Sequence, residues 1–250
     1  MIPLLEYLER TTDATSIEEV WSVHTRAMQA YGFDRLLYGF TRFRTAKSFG
    51  DREDFLILSN HDPAYVESFM DGGMYFHAPM VRWSAENVGS CSWSWMAEHA
   101  EMLTEEEKRV VEFNRKNGVN AGYSISFRDP SIRDKGAIGL AGPPGMTQAE
   151  VDHIWALHGR EIVQMNNVAH LKITSLPYAG YRRVLTARQR ETLEWVGEGK
   201  TTQDIATIMG LTAATVEKHL RLAREALDAE TTAQAVVKAS FQKQIFFFTV

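Results

Sequence analysis

The sequence predicts an α+β protein of two unequal domains. An N-terminal α–β–α sandwich with an antiparallel sheet covers residues 1–172, and a C-terminal all-α domain of four helices covers residues 184–250. Helical and strand periods are mixed through the first two thirds of the chain, whereas only helical periods follow. Between the two, residues 173–183 include Pro177 and Gly180 and show no periodicity, which is typical of a linker.

The N-terminal domain begins with a helical period followed by strand periods. Residues 17–31 place apolar side chains on one helical face, and Ser16 before them is a suitable N-cap. Residues 36–43 and 55–58 then predict strands, the second of them short and buried. At 123–127, Tyr-Ser-Ile-Ser-Phe alternates strictly, which predicts a half-buried strand.

Two capping boxes mark further helix starts in this domain. Thr-Glu-Glu-Glu at 104–107 opens one helix, and Thr-Gln-Ala-Glu at 147–150 opens a long helix that continues to about Leu171. Residues 136–141 predict a returning strand between the two helices. Helices on both sides of an antiparallel sheet give the predicted sandwich.

The C-terminal domain is predicted from three helix starts in close succession. Thr-Ala-Arg-Gln at 186–189 is a third capping box, and its helix ends at a pair of glycines. Thr201 or Thr202 caps a second, short helix, and Gly210 suits the positive φ of a tight turn between helices. Thr212 then caps a third helix.

The third helix has an apolar stripe and a polar face. The stripe is predicted to pack against the first two helices and consists of Val216, Leu220, Ala223 and Leu227. The polar face carries Thr215, Glu217, Lys218, Arg221 and Arg224. A fourth helix is expected over about residues 232–239. Because a helix with such a face fits the major groove, this helix-turn-helix unit predicts binding to double-stranded DNA.

Chemistry assigns different roles to the polar side chains. Arg221 and Glu217 are candidates for base contacts, since a guanidinium donates two bonds to guanine and a carboxylate accepts from cytosine. The remaining candidates, chiefly for phosphate contacts, are Lys218, Arg224 and the threonines Thr201, Thr202, Thr212 and Thr215. A competing interpretation is that Glu217 and Arg221 form an i, i+4 ion pair on a solvated helix.

A specific set of positions carries a family resemblance in this segment. The positions are Leu185-Thr186, Arg188, Leu193, Trp195, Gly199-Lys200-Thr201, Asp204-Ile205-Ala206, Thr215-Val216, His219 and Leu227. With them, the segment closely resembles the output domain of LuxR-type regulators. Gln189, Leu222 and Ala226 stand where the family usually has Glu, Asn and Lys, which affects individual contacts and not the fold. The resemblance implies a transcription regulator that binds an operator in double-stranded DNA.

Scattered positions in residues 1–172 carry a second resemblance. These are Tyr65-x-x-x-Phe69, Pro79-Met80-Val81, Trp93 fourteen residues after that proline, and the glycines Gly118 and Gly122 before a strand. They are similar to quorum-sensing regulators whose sandwich domain holds an acyl-homoserine lactone. A phosphoacceptor receiver domain is excluded, because no Asp pair follows an early apolar strand.

The second resemblance implies roles for individual pocket residues. Tyr65 and Trp93 would line the site of the lactone ring, and Phe69 would line the region of the ligand amide. Gly122 would allow close approach of the backbone, and His61 stands where another pocket Tyr is usual. Aromatic residues favour a cavity here rather than a filled core; they are Phe69, Tyr75, Phe76, Trp83, Trp93 and Trp95.

One pocket position departs from the family pattern in a chemically important way. Ala78 replaces the Asp that accepts the bond from the ligand amide N–H, and an unpaired buried donor costs about 1–3 kcal/mol. Three outcomes are open: His77 or Glu67 could accept instead, the ligand could lack the amide, or the protein could have ceased to sense lactones. A carbonyl-rich ligand remains compatible with donors on Tyr65 and His61. A ligand-independent regulator is the remaining alternative.

A homodimer is expected, because one small helix-turn-helix makes few contacts and two linked units bind two half-sites. The long helix at 147–171 carries an apolar stripe that could form the dimer interface or could equally pack on its own sheet. The stripe consists of Val151, Ile154, Trp155, His158 and Ile162. The aromatic tail Phe246–Phe248 would pack back onto its own domain or contact a subunit.

Composition excludes several classes of protein. Residues 182–243 hold ten Lys or Arg against eight Asp or Glu, so the acidic excess behind the net charge of −5 lies in the N-terminal domain. No apolar run is long enough for a membrane span, and the N-terminus does not resemble a signal peptide. The single cysteine, Cys91, fits a reducing cytoplasm. The histidines lack metal-ligand spacing and no catalytic motif occurs, so neither an enzyme nor a cofactor is expected.

Overall fold

A computed structural model of the chain describes residues 3–44, 52–129, 131–177 and 184–246. The chain forms two compact units. The first consists of Met1–Asp51 and Phe55–Ser175, and the second of Arg52–Asp54 and Leu176–Val250. No described helix combines the length and apolar character that crossing a bilayer requires.

The first unit has a five-stranded sheet with helices on both faces, which confirms the predicted sandwich. Its helices are α1 (Leu4–Asp13), α2 (Ile17–Ala30), α3 (Pro63–Met70), α4 (Pro79–Glu86), α5 (Ser94–Glu98), α6 (Glu105–Lys116) and α7 (Gln148–Ser175). Its strands are β1 (Arg35–Thr41), β2 (Leu56–Ser59), β3 (Gly89–Ser92), β4 (Gly122–Ser126) and β5 (Lys135–Ala141). The strand order is β2-β1-β5-β4-β3, and all pairs are antiparallel.

The predicted helix starts are confirmed at atomic detail. The Ser16 hydroxyl accepts a bond from the Glu19 N–H at the start of α2. Thr104 and Glu107 form both bonds of the capping box at the start of α6. Because capping depends only on residues a few positions apart, these starts follow from the sequence alone.

Three expectations for this unit need correction. Strand β4 was expected to be half-buried, but all five of its residues are buried, because β3 and β5 flank it and helices cover both of its faces. Helix α7 continues to Ser175, so residues 173–175 of the predicted linker are helical. Residues 178–183 of that linker lie outside the described residues. The expected strand at 36–43 ends at Thr41.

The apolar stripe of α7 packs within its own domain. The Trp155 ring stacks on Tyr123 of β4 at a centroid distance of 3.8 Å, and His158 lies against Tyr31 at 5.4 Å. Val151 and Ile162 of the same stripe are fully buried. Of the two packings expected for this stripe, the structure has the one on its own sheet, so the stripe is not free to serve as the dimer element.

The second unit is the predicted all-α domain. Its helices are α8 (Ala187–Gly197), α9 (Thr202–Met209), α10 (Ala213–Leu227) and α11 (Thr232–Phe241). Thr186 and Thr201 each form a capping box, so Thr201 and not Thr202 is the N-cap of α9. Gly210 has a φ of 65° at the turn between α9 and α10, as predicted.

The core of the second unit explains how its helices are held together. Val216, Ala223 and Leu227 of α10 are fully buried, and Leu220 is 4% exposed. They pack with α8, α9 and α11. Ile245 beyond α11 is also fully buried in this cluster, while residues 247–250, which include the last two residues of the aromatic tail, lie outside the described residues.

Candidate ligand cavity and DNA-binding surface

A cavity of about 580 Å³ lies in the first unit between the sheet and helices α3, α4 and α6, which carry Tyr65, Pro79 and Asn114. Small residues on the sheet create it. Gly39 of β1 is paired with Ala137 of β5, and Ser124 of β4 is paired with Gly139 of β5. All four line the cavity. Because alternate residues of a strand face opposite sides, small side chains at these positions leave space on one face only.

Aromatic side chains form one wall of the cavity, and His61, Tyr65 and Phe69 are among them. The His61 ring stacks on Tyr65 at 4.8 Å, and Tyr65 stacks on Phe69 at 5.7 Å. The Tyr65 hydroxyl donates to Asn114 Oδ1 at 3.0 Å. A ligand group at this wall would therefore meet a hydroxyl whose proton is already shared.

Burial sets the protonation states at this wall. It lowers the pKa of His61 to about 4, with a smaller contribution in the same direction from the charge of Arg35. Burial also raises the pKa of the Tyr65 phenol. At neutral pH both side chains are uncharged, so His61 offers one N–H donor and one nitrogen acceptor to a ligand.

Trp93 lines the cavity next to the sheet, and its indole Nε1–H donates to Ser124 Oγ at 3.0 Å. Gly122 was expected at the cavity but is not among its lining residues. A Cβ on Gly122 would lie 2.9 Å from the Trp93 ring, and it would also overlap the Leu140 carbonyl oxygen. Gly122 therefore permits the position of Trp93 and does not itself contact the ligand space.

Ala78 and Pro79 line the cavity, with Ala78 only 4% exposed. Both suggested replacements for the missing acceptor fail, because His77 and Glu67 are exposed and neither lines the cavity. None of the described residues that line the cavity is an Asp or a Glu. An amide N–H beside Ala78 would therefore meet no carboxylate.

Several residues at the cavity differ from expectation. Phe69, Tyr75 and Trp93 line it, whereas Phe76 is 58% exposed and Trp83 and Trp95 are not part of its wall. Sequence reasoning missed Asn114, Ser124 and Lys135. For Ser124 a signal existed, since small residues alternate with large ones along its strand; Asn114 and Lys135 gave none.

The predicted polar face of α10 is exposed at its centre, whereas Thr215 and Arg224 are half-buried. Glu217, Lys218 and Arg221 are exposed, while Val216 and Leu220 behind them are buried. The competing ion pair between Glu217 and Arg221 does not form. Glu217 instead accepts a bond from the Thr202 hydroxyl at 2.8 Å, which joins the starts of the two helices.

The cations of α10 differ in how freely they can reach a duplex. Arg221 pairs with Glu225, and both side chains are more than half exposed. Arg224 donates to the Thr232 hydroxyl at 3.1 Å and so faces α11. Lys218 has no hydrogen-bond or ion-pair partner among the described residues.

The threonines at the helix starts are engaged in capping. The Thr201 hydroxyl bonds to Asp204 Oδ2 at 2.7 Å, and the Thr212 hydroxyl lies 2.9 Å from that of Thr215. The Thr212 oxygen also accepts from the Thr215 N–H. These hydroxyls stabilise the helix starts in the free protein and would have to share their bonds with a phosphate.

The two sites define a regulator in which one unit holds a small molecule and the other binds DNA. Residues 16–173 match the autoinducer binding domain, and residues 183–239 match the model described as bacterial regulatory proteins, luxR family. The chain belongs to the LuxR family of quorum-sensing transcriptional regulators.

A relative is similar in sequence over almost the whole chain, and solved structures share the fold. The transcriptional activator VanR of Vibrio anguillarum is 24% identical, over 96% of this chain and 96% of VanR. The complex of SdiA with octanoyl-rac-glycerol has a TM-score of 0.55 at 18% identity, over 98% of this chain and 96% of that chain. CepR2 from Burkholderia cenocepacia has a TM-score of 0.55 at 16% identity, over 69% of this chain and 94% of that chain.

Proposed function

We propose that the chain regulates transcription by binding a double-stranded operator through α9 and α10, under control of an acyl amphiphile held in the cavity. The exposed charged face of α10, with Val216 and Leu220 buried behind it, carries this proposal. The sensing domain extends to Ser175, and the DNA-binding domain covers residues 184–250. In this proposal the protein is not an enzyme. It acts in the cytoplasm, where the operator DNA is located.

The proposed base contacts come from Arg221 and Glu217. Thr202 holds the Glu217 carboxylate in place with a bond of 2.8 Å, which reduces the freedom lost on binding. Lys218 is free to contact phosphate, whereas Arg224 and the capping threonines would first share or release their present bonds. Arg221 must leave Glu225, and an exposed pair of this kind is worth only about 0–1 kcal/mol.

The proposed signal carries carbonyl oxygens in its head group and needs no amide acceptor. His61 can donate to such a carbonyl, and Tyr65 and Trp93 wall the same end of the cavity. Near Ala78 no carboxylate is available for an amide N–H. A simple ester needs no acceptor at this wall, whereas the amide N–H of an acyl-homoserine lactone would find no carboxylate beside Ala78.

Two structural neighbours are named with ligands of these two kinds, an ester and an N-acylhomoserine lactone. SdiA is described in complex with octanoyl-rac-glycerol, which is an ester. CepR2 is described as dependent on N-acylhomoserine lactone. An acyl-homoserine lactone is therefore the second candidate for this chain, favoured by the aromatic wall of Tyr65 and Trp93 and disfavoured by Ala78.

Ala78→Asp is expected to improve the response to N-octanoyl homoserine lactone by about one to two decades, because it restores an acceptor worth about 1–3 kcal/mol. The response to methyl decanoate should not improve, since this ester has neither an N–H nor an O–H donor for the new carboxylate. The measurement is DNA binding by fluorescence polarisation at fixed salt, titrated with each ligand.

Ala85→Asp is the matched control, because Ala85 also lines the cavity and lies two helical turns further along α4. It should not favour the lactone. Equal improvement by both variants, or none by Ala78→Asp, would contradict the assigned position of the amide. DNA binding that no ligand alters would instead indicate a ligand-independent regulator.

We further propose that the protein is a homodimer through the outer face of α7. Because the predicted stripe is used internally, the interface requires other apolar groups. Leu157 and Leu171 are 65% and 67% exposed, and their spacing of fourteen residues places them on one side of the helix. A second copy that packs on this face would remove both from water.

The double variant Leu157→Glu, Leu171→Glu is expected to sediment as a monomer at concentrations where the wild type is a dimer. Burying two carboxylates without partners costs more free energy than the two leucines supply at the interface. Ile132→Glu is the control, because Ile132 is 94% exposed in a loop. A wild type that sediments as a monomer with and without ligand would exclude the dimer.

A further inference from the structure

The cavity has two ends that the strand register defines. At one end Leu37 of β1 is paired with Gly139 of β5, and at the other Thr41 is paired with Lys135. All four residues line the cavity. A strand rises about 3.3 Å per residue, so the two ends are separated by about 13 Å along β1. The cavity is therefore long enough for an extended chain with a group at each end.

The aromatic wall belongs to the first end. Ser59 of β2 is paired with Leu37, and His61 follows two residues later. His61 stacks on Tyr65, whose hydroxyl donates to Asn114. These neutral groups suit the carbonyl head of the proposed signal.

The second end contains a buried cation. Lys135 is 9% exposed, and its Nζ donates to the Asn87 carbonyl oxygen at 3.0 Å. Among the described residues its ammonium has no other hydrogen-bond partner and no carboxylate within 4 Å, which leaves two N–H donors. A buried charge is normally paired. Lys135 thus lacks the anionic partner that a buried ammonium normally has.

Neighbouring charges do not supply that partner. Burial lowers the pKa of the Lys135 ammonium, Asp129 raises it and Arg44 lowers it again. The Asp129 carboxylate is already bonded to His170 and to the Gly136 N–H. A carboxylate bound inside the cavity would compensate the desolvation of Lys135 more directly than Asp129 does.

We infer that Lys135 binds a carboxylate at the end of the signal remote from its head. The signal is then a two-ended amphiphile: a carbonyl-bearing head at His61 and Tyr65, an aliphatic chain along Gly39 and Ala137, and a terminal carboxylate at Lys135. This inference rests on the proposed function, because it requires the cavity to hold the signal.

The test compares monomethyl sebacate with methyl decanoate, two esters of equal chain length that differ in the terminal carboxylate. Binding to the full chain is followed by tryptophan fluorescence, since Trp93 lines the cavity. A charge-assisted bond predicts a preference of at least about tenfold for monomethyl sebacate. Lys135→Met should abolish the preference by weakening only the carboxylate probe, and Lys135→Arg should retain it.

The outcomes separate this inference from the proposed function. Equal affinity of the wild type for both probes, or a preference that survives in Lys135→Met, overturns the inference. Binding of methyl decanoate alone with a change in DNA affinity overturns it and leaves the proposed function intact. If neither probe binds and no acyl ligand changes DNA affinity, both fail. Melting temperatures of the free variants verify that each is folded.

Discussion

Replacing Gly139 by leucine is expected to lower the affinity for methyl decanoate, followed by tryptophan fluorescence, by about two decades while the domain remains folded. Gly139 lies on the cavity face of β5 between Leu37 and Ser124. A Cβ there would lie 3.7 Å from the Trp93 ring, in ordinary contact, so the rest of a leucine side chain extends into the ligand space. Overpacking costs about 1–3 kcal/mol, and here the bound ligand bears that cost.

Gly139→Ala is the control for this prediction, because its methyl group fits beside Trp93 without filling the cavity. Its ligand affinity should stay within a few-fold of the wild type. The free Gly139→Leu domain should melt no earlier than the wild type, since the added apolar atoms enter empty space and leucine favours a strand over glycine. Wild-type affinity in Gly139→Leu would show that the signal does not bind along β5.

Local chemistry explains which parts of the fold the sequence could predict. The helix starts at Ser16, Thr104 and Thr186 depend on bonds between residues three positions apart, and all three form. The starts of α3 and α4 also have a local signal, a proline at the first helical position, in Pro63 and Pro79. These two helices were missed because each spans only eight residues, little more than two turns.

Long-range pairing explains what could not be predicted from the sequence. Lys135 enters the cavity because β5 is paired in a register that places it opposite Thr41. Asn114 enters it because α6 packs near Tyr65, forty-nine residues earlier in the chain. Neither position can be inferred from the residues that adjoin Lys135 or Asn114 in the sequence. The same limit left the packing of the α7 stripe undecided, because its apolar spacing fits a partner helix and its own sheet equally well.

Arg221→Ala is expected to lose about 1–3 kcal/mol on the preferred operator and to relax the choice of base at one position. In the free protein Arg221 is paired with Glu225 on the surface. A bidentate contact with guanine exceeds the value of that exposed pair, which is about 0–1 kcal/mol, so the guanidinium changes partner on binding. The measurement is the affinity for a panel of single-base operator variants at fixed salt.

Lys218→Ala is the matched control, because Lys218 is exposed on the same face without a partner among the described residues. It should weaken binding to all sequences equally. It should also reduce the slope of the logarithm of the binding constant against the logarithm of the salt concentration by about one. Glu225→Ala should preserve the base preference, since it removes only the partner that Arg221 leaves. If Arg221→Ala behaves like Lys218→Ala, Arg221 contacts phosphate, and base selection by α10 must depend on Glu217, which accepts a bond from Thr202 on the exposed face of the helix.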